Sequence, residues 1–184
     1  MLHQIRIIGG QWRGRKLSFT PAEGLRPTGD RIRETLFNWL APAVDGARCL
    51  DLFAGSGALG LEALSRGASH CDFVDNSDAT LARLSYHLTA LTATDRGRCH
   101  PVPAQQFINV AAQPYDIIFV DPPFTQQLVE PICMALAQRQ LLSAGALVYV
   151  ETGAAEPPLE VPLDWSLHRE KVAGAVTYRL FSVN

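Results

Sequence analysis

Lysine is almost missing from this chain: among 184 residues only Lys16 and Lys171 occur, far apart. Catalysis by paired lysines is thereby excluded. Cysteine is scarce as well. Cys49, Cys71, Cys99 and Cys133 are widely spaced with no CxxC pair, so neither a zinc site nor a disulfide framework is supported, and no metal is expected. Cys49 and Cys71 fall inside apolar runs, which suits buried free thiols. No apolar stretch approaches the ~20 residues of a membrane span. Met1 to Arg6 has no apolar core followed by small residues, so no membrane association and a cytoplasmic location are the expectations. Internal repeats and low-complexity tracts are lacking too. What remains is a chain of ordinary composition, long enough to bury roughly 70% of its unfolded surface as one unit.

The net charge of −2 argues against a nucleic-acid partner if taken alone, but its distribution argues otherwise. Residues 1–48 carry eight Lys/Arg against four Asp/Glu, and the remaining 136 carry eight against fourteen. Arg6, Arg13, Arg15 and Lys16 lie within the first 22 residues, which hold no acid. A basic end on an acidic body is the asymmetry expected when one surface meets phosphate. A solvated N-terminal arm gives the same bias.

Along the chain, residues 5–8 and 16–19 read as a hairpin. Its adaptable, Arg-rich turn holds Gly9, Gly10, Gly14 and Trp12. Pro21, Gly24, Pro27 and Gly29 mark a loop. Asp30 then caps a helix over 31–40, with Ile32, Leu36, Phe37 and Leu40 at helical spacing. From residue 47 strands and helices alternate. Strands are expected over 47–52, 70–75, 98–102, 115–120 and 146–151, and helices over 58–66, 77–92, 105–112 and 126–139. Two last strands, 165–172 and 175–183, meet at Gly174 with no helix between, so they pair antiparallel. The pattern predicts an α/β, Rossmann-like, doubly wound sheet of seven mostly parallel strands, with a C-terminal antiparallel hairpin. Residues 1–46 are expected to form a basic, substrate-facing hairpin-and-helix extension, and 47–184 a compact catalytic unit.

Two motifs carry the chemistry. Gly55-Ser56-Gly57-Ala58-Leu59-Gly60 follows a strand and opens a helix, as in the dinucleotide fingerprint. The glycines alone leave a nicotinamide-dependent oxidoreductase open. Asp51 argues against it, because a carboxylate there repels a pyrophosphate at the helix N-terminus. A cationic ligand reverses that preference. S-adenosylmethionine carries a sulfonium and an ammonium and no phosphate, so it suits a loop of Asp51, Phe53, Ala54, Gly55 and Gly57. Asp75, ending the second strand, is placed to accept two ribose hydroxyls, with Asn76 and Ser77 beside the adenosine. Both acids can also serve as helix caps, and the two uses are compatible.

The second motif, Asp121-Pro122-Pro123-Phe124, ends the apolar run 115–120. The prolines fix φ and lack N–H groups, leaving carbonyls pointed outward on a rigid ledge. The Asp121 carboxylate and the Pro122 carbonyl can accept both hydrogens of a nucleobase exocyclic amine, while Phe124 stacks on the base. Such bonds localise the amine lone pair, and Asp121 stabilises positive charge developing on nitrogen. A stiff strand-exit turn is the plainer use of these residues. Methylation at pyrimidine carbon 5 needs a nucleophilic cysteine, and none lies near the ledge.

Four segments recur together in one known family: residues 7–17 (IIGGQWRGRKL), 26–40 (RPTGDRIRETLFNWL), 51–60 and 121–124. Through them the chain resembles the bacterial ribosomal RNA small-subunit methyltransferase D family, which methylates N2 of a guanine in 16S rRNA. The resemblance implies a class I methyltransferase fold and S-adenosylmethionine as cofactor. It also implies action on 16S rRNA within an assembled or assembling small subunit; a monomer is the expectation for the chain itself. Arg26, Thr28 and Arg31 would lie near cofactor and target base, and three arginines within eight residues (Arg26, Arg31, Arg33) are not accounted for by packing. Arg13, Arg15 and Lys16 would hold rRNA phosphate, with Trp12 available to stack. For the adenine, either the Ala104 backbone N–H or Gln105 would serve. Adenine-N6 or cytosine-N4 methylation is the alternative within the same chemistry.

Overall fold

The computed structural model describes residues 3–19, 28–123 and 127–184. Arg26 and Phe124, assigned roles above, lie outside the described residues. The chain opens with two short antiparallel strands, β1 (His3–Arg6) and β2 (Lys16–Phe19), followed by α1 (Asp30–Leu40). Five parallel strands come next: β3 (Arg48–Asp51), β4 (His70–Asp75), β5 (Gly97–Pro101), β6 (Tyr115–Val120) and β7 (Leu142–Gly153). The crossovers are α2 (Ala58–Ser65), α3 (Asp78–Ala90), α4 (Ala104–Val110) and α5 (Val129–Gln138). β8 (Trp165–Ala173) and β9 (Val176–Val183) close the chain.

Sheet order is β5-β4-β3-β6-β7-β9-β8. The chain winds outward from β3 in one direction, then returns to add β6 on the other side. That reversal leaves a crevice between the C-terminal ends of β3 and β6, where open α/β sheets bind ligands. The closing hairpin is antiparallel as expected, but its last strand is not at the edge. β9 runs antiparallel to both β7 and β8 and sits between them. Its buried Tyr178, Leu180 and Phe181 account for that interior place, whereas β8 is exposed along most of its length.

Helices cover both faces. On one face Leu36, Phe37, Leu61, Leu64, Phe73 and Phe119 share a core; on the other, Leu50, Ile118, Val120, Ile132 and Leu136 do. Ile5, Ile7, Leu17 and Phe19 of the N-terminal hairpin belong to the first of these. The hairpin is therefore packed into the same core as the sheet.

Two residues fasten it. Glu62 of α2 is sealed from solvent and accepts the backbone N–H groups of Ile8 (2.9 Å) and Gly9 (2.8 Å). Arg33 is equally buried, 1% exposed, and donates to the carbonyls of Arg6 (2.9 Å) and Thr28 (3.2 Å), to Asp30 and to Glu62. Packing and hydrogen bonding thus account for Arg33 in full, which corrects the expectation drawn from the arginine cluster. Asp30 is not the cap of α1 either. Gly29 holds that position without a side-chain bond, and Asp30 sits in the first turn, paired with Arg33.

Candidate active site

Four neighbouring parallel strands each end, or nearly end, in an acid: Asp75 on β4, Asp51 on β3, Asp121 just beyond β6, and Glu151 near the end of β7. Register makes them neighbours. Asp51 pairs with Phe73 and with Phe119, and Val120 pairs with Val150, so Asp121 and Glu151 come next to each other on neighbouring strands. All four line one cavity of about 850 Å³ over the crevice. Among the described lining residues there is no lysine or arginine.

The cofactor loop is bound tightly to its surroundings. Asp51 is 2% exposed and accepts the Gly60 N–H (3.1 Å), so it caps α2 while its carboxylate borders the cavity. Burial pushes its pKa up to about 7; the Gly60 N–H opposes this, and the charge of Asp75 adds to it. Asp75 accepts the N–H of Gly55 on one oxygen and that of Ser77 on the other, both at 2.9 Å. Each oxygen keeps a further lone pair, enough for a pair of ligand hydroxyls. Gly55 has φ +50° and lines the cavity along with Phe53 and Ala54. Gly57 does not line it. Its φ is +77°, and a side chain there would meet Leu84 at 2.4 Å, so this glycine serves the turn and the approach of α3. Asn76 lines the cavity rim, exposed.

After β5, Pro103, Ala104 and Gln105 form another wall. The Gln105 amide donates to Asn109, at 3.4 Å. No side chain caps α4, so its first backbone N–H groups, Ala104 among them, are the donors offered there.

On the opposite wall stand Pro122, Pro123 and Asp121. The Thr28 hydroxyl lies 3.1 Å from Asp121 Oδ2 and 3.1 Å from Glu151 Oε1. Tyr149 donates its hydroxyl to the same Glu151 oxygen at 2.6 Å. Burial first, and the Glu151 charge second, hold the Asp121 carboxyl well above the ordinary carboxylate range. Burial also raises Glu151, against the hydrogen bonds from Tyr149, Thr28 and Asp121. Thr28 is thus in the cavity wall. Arg31 is not: it is exposed and outside the lining. Glu151 is the residue that sequence reasoning missed. Its signal was there, since an apolar run ending in a carboxylate had already singled out Asp51, Asp75 and Asp121.

A model of the family described as conserved hypothetical protein 95 matches residues 5–182. Ribosomal RNA small subunit methyltransferase D of Escherichia coli (strain K12) is 51% identical over 178 residues, covering 97% of this chain and 89% of that protein. The chain belongs to the ribosomal RNA small subunit methyltransferase D family. The family's protein from Haemophilus influenzae is 43% identical over 183 residues, covering 97% of this chain and 93% of its own length. A solved putative methyltransferase from Escherichia coli superposes with a TM-score of 0.89 at 48% identity, over 98% of each chain. The fold is accordingly the class I methyltransferase fold.

The basic hairpin turn lies apart from the cavity. Arg13, Arg15 and Lys16 are exposed, but the turn holding them is not adaptable. Gln11 N–H donates to the Ser65 carbonyl (2.8 Å), Trp12 N–H to Ser65 Oγ (3.0 Å), and Ser65 Oγ to the Gly9 carbonyl (2.6 Å). Trp12 is half-buried against the core, and the Arg96 guanidinium covers its ring at 5.3 Å. The turn therefore presents its cations from a fixed frame, with Trp12 already stacked.

Proposed function

We propose that this protein transfers a methyl group from S-adenosylmethionine to the exocyclic N2 amine of a guanine in the 16S rRNA of the small ribosomal subunit. The observation that carries the reading is the cavity's charge. Four carboxylates and no cation among the described lining residues suit a cationic ligand and oppose a pyrophosphate, which disfavours a nicotinamide dinucleotide. The volume is that of a cofactor-sized site. When bound, S-adenosylmethionine supplies an electrophilic methyl group on a sulfonium.

The chain's own residues divide the remaining work. Asp51 meets the cationic part of the cofactor, Asp75 the ribose hydroxyls, and the Ala104 N–H the adenine. Asp121 and the Pro122 carbonyl accept the amine hydrogens and aim its lone pair. Arg13, Arg15 and Lys16 hold phosphate at a distance from the cavity, so the protein reads the shape around the target base. An assembled or assembling subunit is the substrate that offers such a shape.

The test is mass mapping of modified nucleotides in 16S rRNA from cells with and without the gene. One N2-methylguanine should vanish and return on complementation. An unchanged map, or loss of a methylated adenine or cytosine instead, removes the reading.

A further inference from the structure

The described residues hold one ionisable arrangement in the cavity wall that the proposed chemistry leaves unused. Glu151 takes no part in holding cofactor or base, yet it is 4% exposed and sits beside Asp121. Thr28 touches both acids at 3.1 Å. A threonine hydroxyl has one hydrogen, so it can donate to one carboxylate only. The other contact is a hydrogen bond only when that carboxyl carries a proton and donates in turn. Two ionised carboxylates sharing this wall would also repel each other with no cation beside them among the lining residues.

We infer that Asp121, Thr28 and Glu151 form a proton-sharing unit, in which Glu151 is a positioning residue that sets when Asp121 can act as an acceptor for the target amine. The inference rests on the function proposed above. Before substrate arrives, Glu151 is the better-supported anion, because the Tyr149 hydroxyl donates to its Oε1 at 2.6 Å, whereas Thr28 is equidistant from the two acids. The proton then rests on Asp121. An amine donating two N–H groups to the ledge favours charge on Asp121, and the proton moves to Glu151, which already shares a hydrogen bond with Asp121. In the transfer itself the nitrogen lone pair forms the N–C bond while the S–C pair returns to sulfur. The nitrogen then sheds one proton. A unit holding one proton has room for that second one, and it returns to solvent as product leaves.

The groups facing the unit are few. Asp51 approaches from β3, Tyr149 from β7 and Tyr178 from β9 behind Tyr149, while the Arg33 Nε binds the Thr28 carbonyl on the far side. Titration of Asp51 is removed from the comparison by carrying each variant in an Asp51→Asn background as well.

Two isosteric changes move the unit in opposite directions. Glu151→Gln removes the like charge beside Asp121, and Thr28→Val removes the hydroxyl that favours ionised Asp121. Carbon NMR on protein with labelled aspartate carboxyls follows Asp121 directly, assigned by its loss in Asp121→Asn. In Glu151→Gln its titration should move to lower pH by about one unit or more; in Thr28→Val it should move higher. The acid limb of the single-turnover methylation rate should follow in the same two directions. An Asp121 titration unmoved by Glu151→Gln overturns the inference, as does a rate limb that stays put while the titration shifts. A wild-type protein that methylates no small-subunit RNA removes the proposed function instead, and the NMR titrations still report whether the unit exists.

Discussion

Arg33 Nη1 and Glu62 Oε2 meet at 3.4 Å, with side chains 1% and 0% exposed. This pair joins α1 to α2 and, through the carbonyl of Arg6 and the N–H groups of Ile8 and Gly9, ties the N-terminal hairpin to the sheet. It also braces the wall of the candidate site, since the Arg33 Nε holds the Thr28 carbonyl while Thr28 reaches Asp121. Removing Glu62 takes away one of the two acids that meet the buried Arg33 and leaves the N–H groups of Ile8 and Gly9 without their acceptor. Glu62→Ala should therefore lower stability by about 3–5 kcal/mol in urea unfolding. Arg31→Ala, on the exposed side of the same helix, should stay within about 0.5 kcal/mol of wild type. Equal effects would mean that the Arg33–Glu62 contact does not fasten the hairpin.

Cofactor affinity should depend on pH through Asp51. Burial pushes its pKa up to about 7. A cationic ligand binds the ionised form better and draws that pKa down, so binding below pH 7 releases a proton. Affinity should rise with pH up to about 7 and then level. Calorimetry in buffers of different ionisation heat measures the proton release. Asp51→Asn should abolish it and weaken binding.

Asp121 and Asp75 should separate catalysis from binding. Asp121→Ala removes the side-chain acceptor from the ledge altogether. Its methylation rate should fall roughly 10²–10³-fold with cofactor affinity little changed. Asp75→Ala removes the acceptor for the ribose hydroxyls and the brace of Gly55 and Ser77. Cofactor affinity should drop at least about tenfold. A fully active Asp121→Ala enzyme rules out the ledge mechanism.

The hairpin cations should act at long range and through salt. Arg13, Arg15 and Lys16 are exposed, so their joint replacement by Ala should leave the unfolding midpoint nearly unchanged. RNA affinity should fall, and the slope of log affinity against log salt should shrink by roughly 0.7–0.9 for each phosphate that is no longer neutralised. An unaltered slope would assign the turn to solvent.

Local pattern was enough to find the parallel sheet, because strand-helix alternation and a carboxylate at four of the five parallel strand exits are properties of short windows. Asp51, Asp75 and Asp121 were each legible for that reason. Glu151 carried the same mark, but it becomes part of the site only because β7 lies beside β6 in register, a contact between residues some thirty positions apart. The fate of an arginine is still less local. Arg31 and Arg33 stand two apart on one helix, yet one faces solvent and the other closes a buried network with α2 and β1. Sequence by itself determined the elements and the kind of chemistry, since backbone period and side-chain type act over a few residues. Only the tertiary structure decided which acids share a proton and which cation is structural, because charge and burial act through space.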